Sequence, residues 1–240
     1  MTRFFAQLPR RTFLLFLVLG WGFIVASSLA YFDFSQLPAF MLEKMPLRFE
    51  SLWLVSLRVH VAAALVSLPL CIVLMTRRIQ RRPAIHRWLG RVTGMTILLG
   101  LVPTGTVLAF DAKGGRLVTA GFLLSGAIVA LCTVRGVLAA RRGDLVAHRR
   151  SMRHVFAQMS VAVTSRAMLV GSDFAGVDPN LAYVVALWLP VVASALIVEI
   201  TSLPRGSVAS FFERIRRERS PLALGLRLRA VAPPANRLGR

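Results

Sequence analysis

"SLWLVSLRVHVAAALVSLPLCIVLMTRRIQRR" runs from Ser51 to Arg82. Residues 51–75 carry one charge, Arg58, and the seven residues after them carry four arginines. A helix needs about 20 apolar residues to cross the hydrocarbon core of a bilayer. It must be a helix, because lipid gives an open strand edge nothing to bond to. The stretch therefore reads as a membrane span stopped by a cationic boundary. The same alternation recurs along the chain and predicts spans at 12–32, 51–75, 92–110, 116–138, 155–171 and 181–203. The fifth is short, and its helix is expected to reach back into the basic segment before it. The expected fold is an all-α integral membrane protein, a bundle of about six transmembrane helices.

Composition agrees. Of 240 residues 56% are hydrophobic, above the ~45–50% of an ordinary soluble domain. Thirty Lys and Arg stand against ten Asp and Glu. A soluble chain so basic would suggest nucleic acid. Here the charges sit in clusters between apolar runs, and no basic face is left free to meet a nucleic acid. Twenty-three cations flank the spans on one side and four (Lys44, Arg48, Lys113, Arg116) on the other. That asymmetry places both termini in the cytoplasm of a bacterial inner membrane. The first span begins like a signal peptide, but its run of about 20 apolar residues is the length of a retained helix. Cys71 and Cys132 lie inside spans without CxxC spacing and read as small buried hydrophobes.

Two short basic segments match. "HRWLGR" (86–91) and "HRRSMR" (148–153) each hold His-Arg, three residues, then Arg. Each follows a span that has come down to the arginine-rich side, and each opens the next span. Spans two and three, and spans four and five, then form two parallel-repeat hairpins. Arginines at such a boundary anchor a helix to lipid phosphates. This accounts for Arg87, Arg91, Arg149 and Arg153, and makes anionic headgroups expected partners. It does not account for His86 and His148. A boundary histidine binds headgroups, takes up protons or ligates a metal or haem. His154 is a third histidine on that side.

Together with "LRVHVAAALVSLPL" (57–70), "AHRRSMRH" (147–154), "AVTSR" (162–166) and "IVEI" (197–200), these motifs carry a family likeness. Over residues 51–203 the chain resembles the bacterial polytopic membrane proteins grouped as DUF2306, a domain of unknown function. The resemblance implies a membrane domain and no particular reaction. The expected organisation is a first helix and outer loop (1–50), the five-helix domain (51–203) and a basic tail (204–240). In the tail, Val208, Phe211, Phe212 and Ile215 form an apolar stripe suited to an anionic membrane surface.

Ionisable residues inside spans are costly and mark function by default. Span two holds Arg58, which can snorkel outward, and His60, which is too short to do so. Pro103 in span three removes a backbone donor and frees the Leu99 carbonyl, with Thr104 and Thr106 just beyond. Span five adds Thr164 and Arg166. His60, Thr104, Thr106, Thr164 and Arg166 are thus expected to line a polar pocket in the outer half. Arg135 and Glu199 lie at equal depth toward the inner side and are expected to form an intramembrane ion pair.

The expected function is binding or moving a small ligand or lipid through that pocket. One alternative is a b-type cytochrome in which His86 and His148 hold a haem; another is a non-catalytic subunit of a homo-oligomer or membrane complex. The chain has no nucleotide-binding loop, GxSxG or HExxH, so soluble-enzyme chemistry has no support.

Overall fold

The computed structural model describes residues 2–33, 47 and 49–202, with backbone alone for 2–10. Residues up to Val198 form one compact unit, and Glu199–Arg240 form a second. Of the second unit only Glu199–Ser202 are described, a last turn of helix. The tail's expected amphipathic stripe lies outside the described residues.

The described residues form six long helices: α1 (Thr2–Ser28), α2 (Glu50–Leu74), α3 (Pro83–Phe110), α4 (Gly115–Arg141), α5 (Leu145–Phe174) and α6 (Pro179–Ser202). The 25 residues of α2 span about 37 Å at 1.5 Å per residue, more than the hydrocarbon core. Among the described residues five helices are long and apolar enough to cross a membrane: Arg11–Phe32 (the end of α1 with the 3₁₀ turn after it), α2, α3, α4 and α6. Their large apolar side chains face outward as well as inward: Leu19 is 65% exposed and Leu99 71%. In water such surfaces would be unstable; in lipid they are ordinary.

α5 is the exception. It is 30 residues long, yet too polar to qualify as a span by composition. Its apolar deficit is met by neighbours, since Val155, Gln158, Met159, Ser160, Val161 and Val163 are all buried. A helix shielded by other helices does not need an apolar face toward lipid.

The turns explain where helices begin. Arg82 before Pro83 is held out of the helical region by the ring of the proline that follows. Pro83 then takes the first helical position, where its missing N–H costs nothing. The Asp144 side chain accepts from the Val146 and Ala147 amides at 3.1 and 2.9 Å and caps α5. Asp178 caps α6 through the Leu181 amide at 2.9 Å. Between α3 and α4, Gly114 sits at φ +94°, a conformation that other residues rarely adopt. α3 therefore starts at residue 83 rather than near 92, and both basic segments are helical. His86 is the fourth residue of α3 and His148 the fourth of α5.

Packing centres on α5. One apolar cluster joins Leu17 and Ile24 of α1, Leu68 and Cys71 of α2, Ile97 of α3, Val129 of α4 and Val155, Met159 and Val163 of α5. A second joins Val118, Val161, Leu187 and Val191. Trp21 of α1 donates to the Leu65 carbonyl of α2 at 3.0 Å. Among these apolar contacts lies a polar knot. Gln158 accepts from Ser125 at 2.9 Å and donates to the Val191 carbonyl and the Ser194 hydroxyl, both at 3.0 Å. It ties α5 to α4 and α6, with both ends of its amide satisfied, as burial requires.

Candidate functional site

α3 carries a π turn at Thr96–Leu101 immediately before Pro103. A π turn carries a carbonyl's bond to the fifth residue on, as the Val102 amide shows by bonding to the Ile97 carbonyl. The carbonyl of Leu101, the last residue of the turn, also serves α2. His60 of α2 uses it: Nδ1 stands 3.0 Å from the Leu101 oxygen and 3.3 Å from the Thr104 hydroxyl. The Thr104 hydroxyl itself donates to Gly100. Facing a carbonyl, Nδ1 of His60 must carry the proton, which leaves the lone pair on Nε2. Gly105 permits this approach, since a Cβ there would stand 2.9 Å from the His60 ring.

Arg166 of α5 donates to the Ala162 carbonyl at 2.9 Å. Its charge lies within electrostatic reach of His60 and of Tyr31 and Tyr183. The chain has two tyrosines, Tyr31 and Tyr183, and each is close enough to interact with this cation electrostatically. Arg58 extends the group, donating to the Tyr31 carbonyl at 3.0 Å.

Of the five pocket residues expected from sequence, the structure brings His60 and Thr104 into contact and Arg166 within reach of His60. The other two bond to their own helices. Thr164 donates to Ser160 and Val161, and Thr106 to Val102 at 2.9 Å. Thr106 instead borders a cavity of about 310 Å³ with Phe49, Leu52, Trp53 and Phe110. The tyrosines were missed by sequence reasoning. Their scarcity was the available signal, together with the tendency of tyrosine to sit at membrane interfaces.

At the opposite end, the matching histidines meet. The His86 and His148 ring centres are 6.3 Å apart with planes at 81°. The two helical hairpins therefore turn at the same end of the bundle. His148 Nδ1 lies 2.8 Å from the Gly136 carbonyl of α4, so it too carries the proton there and leaves Nε2 as the basic nitrogen. His86 Nδ1 is buried and makes no hydrogen bond. Arg87, Arg91, Arg149 and Arg153 are exposed around the pair, whereas His154 is buried on the far side of α5's first turns. Arg135 is exposed on α4, and Glu199 lies in the last turn of α6, within the second unit. Among the described residues no group of three or more His, Cys, Asp or Glu converges to hold a metal.

No curated protein and no solved structure matches the chain. A family described as "Predicted membrane protein (DUF2306)" matches residues 57–202. That segment begins in α2 just before His60, covers both histidine-arginine segments and Arg166, and ends with α6. More than half of the chain lies inside the match, and the protein belongs to the DUF2306 family of predicted membrane proteins.

Proposed function

We propose that this is a bacterial inner-membrane protein, with both termini cytoplasmic, that binds a small anionic ligand or lipid headgroup at the His60–Thr104–Arg166 group. The observation that carries this reading is Arg166. An ionisable group on a membrane-embedded helix is a functional suspect by default, and Arg166, exposed on α5, bonds only to its own helix at the Ala162 carbonyl. Among the described residues no carboxylate pairs with Arg166. Two phenols and the basic nitrogen of His60 lie within its field. An anion supplies the missing countercharge, Thr104 fixes the imidazole beside it, and the tyrosines offer further hydroxyl donors.

The test uses the full chain in detergent. Thermal unfolding is followed while phosphatidylglycerol, and separately phosphatidylcholine, is titrated in. Phosphatidylglycerol stabilises the wild type, and Arg166→Ala and His60→Ala lose that gain. Equal stabilisation of all three proteins would remove the site. The orientation is checked by accessibility labelling of Arg82→Cys and Arg149→Cys after Cys71 and Cys132 are replaced by alanine. Labelling from opposite faces would refute the shared cytoplasmic side.

A further inference from the structure

Arginines alone suffice to anchor α3 and α5 at a membrane boundary. The histidines beside them have no such task, yet the fold brings the two together from helices whose sequences place them at the same position. The neighbourhood specifies what they would hold.

His148 is already oriented. Its Nδ1–H is fixed on the Gly136 carbonyl at 2.8 Å, the arrangement by which a metal-ligating histidine has its ring and tautomer set. The close approach of α4 to α5 makes this bond possible: a Cβ on Gly136 would run into Met152. His86 is buried at Nδ1 without a hydrogen bond, so no protein partner fixes its ring. It can turn about χ2 without breaking any bond at that nitrogen, so one ring is fixed and the other is free to adjust.

The separation is informative. Two imidazoles on opposite sides of one metal, with metal–nitrogen bonds of about 2.0–2.1 Å and ring centres roughly 1.1 Å further out, stand roughly 6.3 Å centre to centre. The observed value is 6.3 Å. The rings stand edge to face, so loading requires the turn that His86 is free to make.

A bare metal ion fits poorly. Structural sites for such ions use about four protein ligands and catalytic ones three. Here only two donors converge, with no third His, Cys, Asp or Glu among the described residues. The surroundings are cationic as well. Arg82, Arg87, Arg91, Arg149, Arg150 and Arg153 lie within five residues of one or other histidine, and the one nearby carboxylate, Asp144, is engaged in capping α5. Such a field repels a dication. An iron porphyrin reverses each objection. It brings its own four equatorial nitrogens, asks the protein for two axial imidazoles, and presents two propionates to arginines. At Gly90, one turn along α3 from His86, an added Cβ would meet nothing within 4 Å.

We propose that His86 and His148 are the axial ligands of one haem, bound at the arginine-rich end of the bundle between α3 and α5. This site is separate from the one around Arg166, and either can fail without the other.

The full-length chain is expressed with a haem precursor and purified in detergent, and its visible spectrum is recorded oxidised and reduced. Size-exclusion profile and helical circular dichroism check folding for every variant. About one haem per chain is expected, with the sharp bands of six-coordinate iron. His86→Ala and His148→Ala each remove one axial ligand and lose the six-coordinate bands, whereas His154→Gln keeps them. His86→Met retains haem with a shifted spectrum and a higher reduction potential, because a thioether replaces one imidazole; a purely structural histidine would not produce that shift. Absence of a Soret band in the wild type overturns the proposal. So does a band that survives in both alanine variants. Stoichiometric binding of cobalt(II) by a chain that takes up no haem also overturns it, in favour of a bare-ion site.

Discussion

Gly105→Ala gives the sharpest test of the geometry around His60. The added Cβ would stand 2.9 Å from Cε1 and 3.1 Å from Nδ1 of the imidazole. Carbon contacts settle at about 3.5–4.0 Å, so the ring must withdraw by roughly 0.6 Å. That motion stretches the 3.0 Å contact from Nδ1 to the Leu101 carbonyl to roughly 3.6 Å, which is no longer a hydrogen bond. The lost bond costs about 0.5–1.5 kcal/mol, with interhelical bonds in membranes nearer 0.6 kcal/mol. Overpacking adds about 1–3 kcal/mol. Replacing glycine inside a helix returns about 0.5–1 kcal/mol. The net expectation is a loss of about 1–3 kcal/mol. In a His60→Ala background the ring is gone, and the same substitution should be neutral or stabilising by up to about 1 kcal/mol. Unfolding in mixed micelles on titration with sodium dodecyl sulfate, followed by the fluorescence of the four tryptophans, measures all four corners of the cycle. If the two substitutions add within about 0.3–0.5 kcal/mol, Gly105 does not hold the imidazole against α3 and the geometry is wrong.

Other expectations use the same assay. Gln158→Leu removes three hydrogen bonds at nearly constant volume; at about 0.6 kcal/mol each it should cost about 2 kcal/mol, and a change below about 0.5 kcal/mol would deny the knot a role. Asp144→Ala deletes the cap of α5 and should cost about 1 kcal/mol, with Asp144→Asn recovering most of it. Gly114→Ala forces a side chain into φ +94°, with its Cβ 2.5 Å from Val118; a loss of at least about 1 kcal/mol is expected, and an unchanged midpoint would refute the left-handed turn.

The helical spans were legible because hydrocarbon demands apolar residues in number and arginine marks where the demand ends. α5 appeared short for a physical reason: shielding by neighbours relaxes that demand, and no single sequence reports its shielding. The pairing of His86 with His148 was foreshadowed by their identical setting. Their orientation was not, because it depends on a carbonyl of Gly136, twelve residues before His148 and on another helix. The outer group was partly legible. His60 and Arg166 stood out as ionisable residues in apolar runs. The threonines could not be sorted, since a helical hydroxyl bonds to its own preceding turn as readily as it faces a ligand. Thr106 and Thr164 do the former, while Thr104 does that and also reaches His60. Pro103 announced a backbone irregularity, but not that a wider turn would hand a carbonyl to His60.

The wide turn at Thr96–Leu101 also sets how the two ends of α3 are aimed. One surplus residue swings everything after it by about 100° around the axis relative to a regular helix. Deleting one residue within 96–101 would rotate Thr104 and Gly105 away from the imidazole they now face, while Pro83–Met95 keeps its bearing on α5. A single codon thus separates the two ends of the molecule genetically, undoing the His60 contacts while leaving the His86–His148 pair in place.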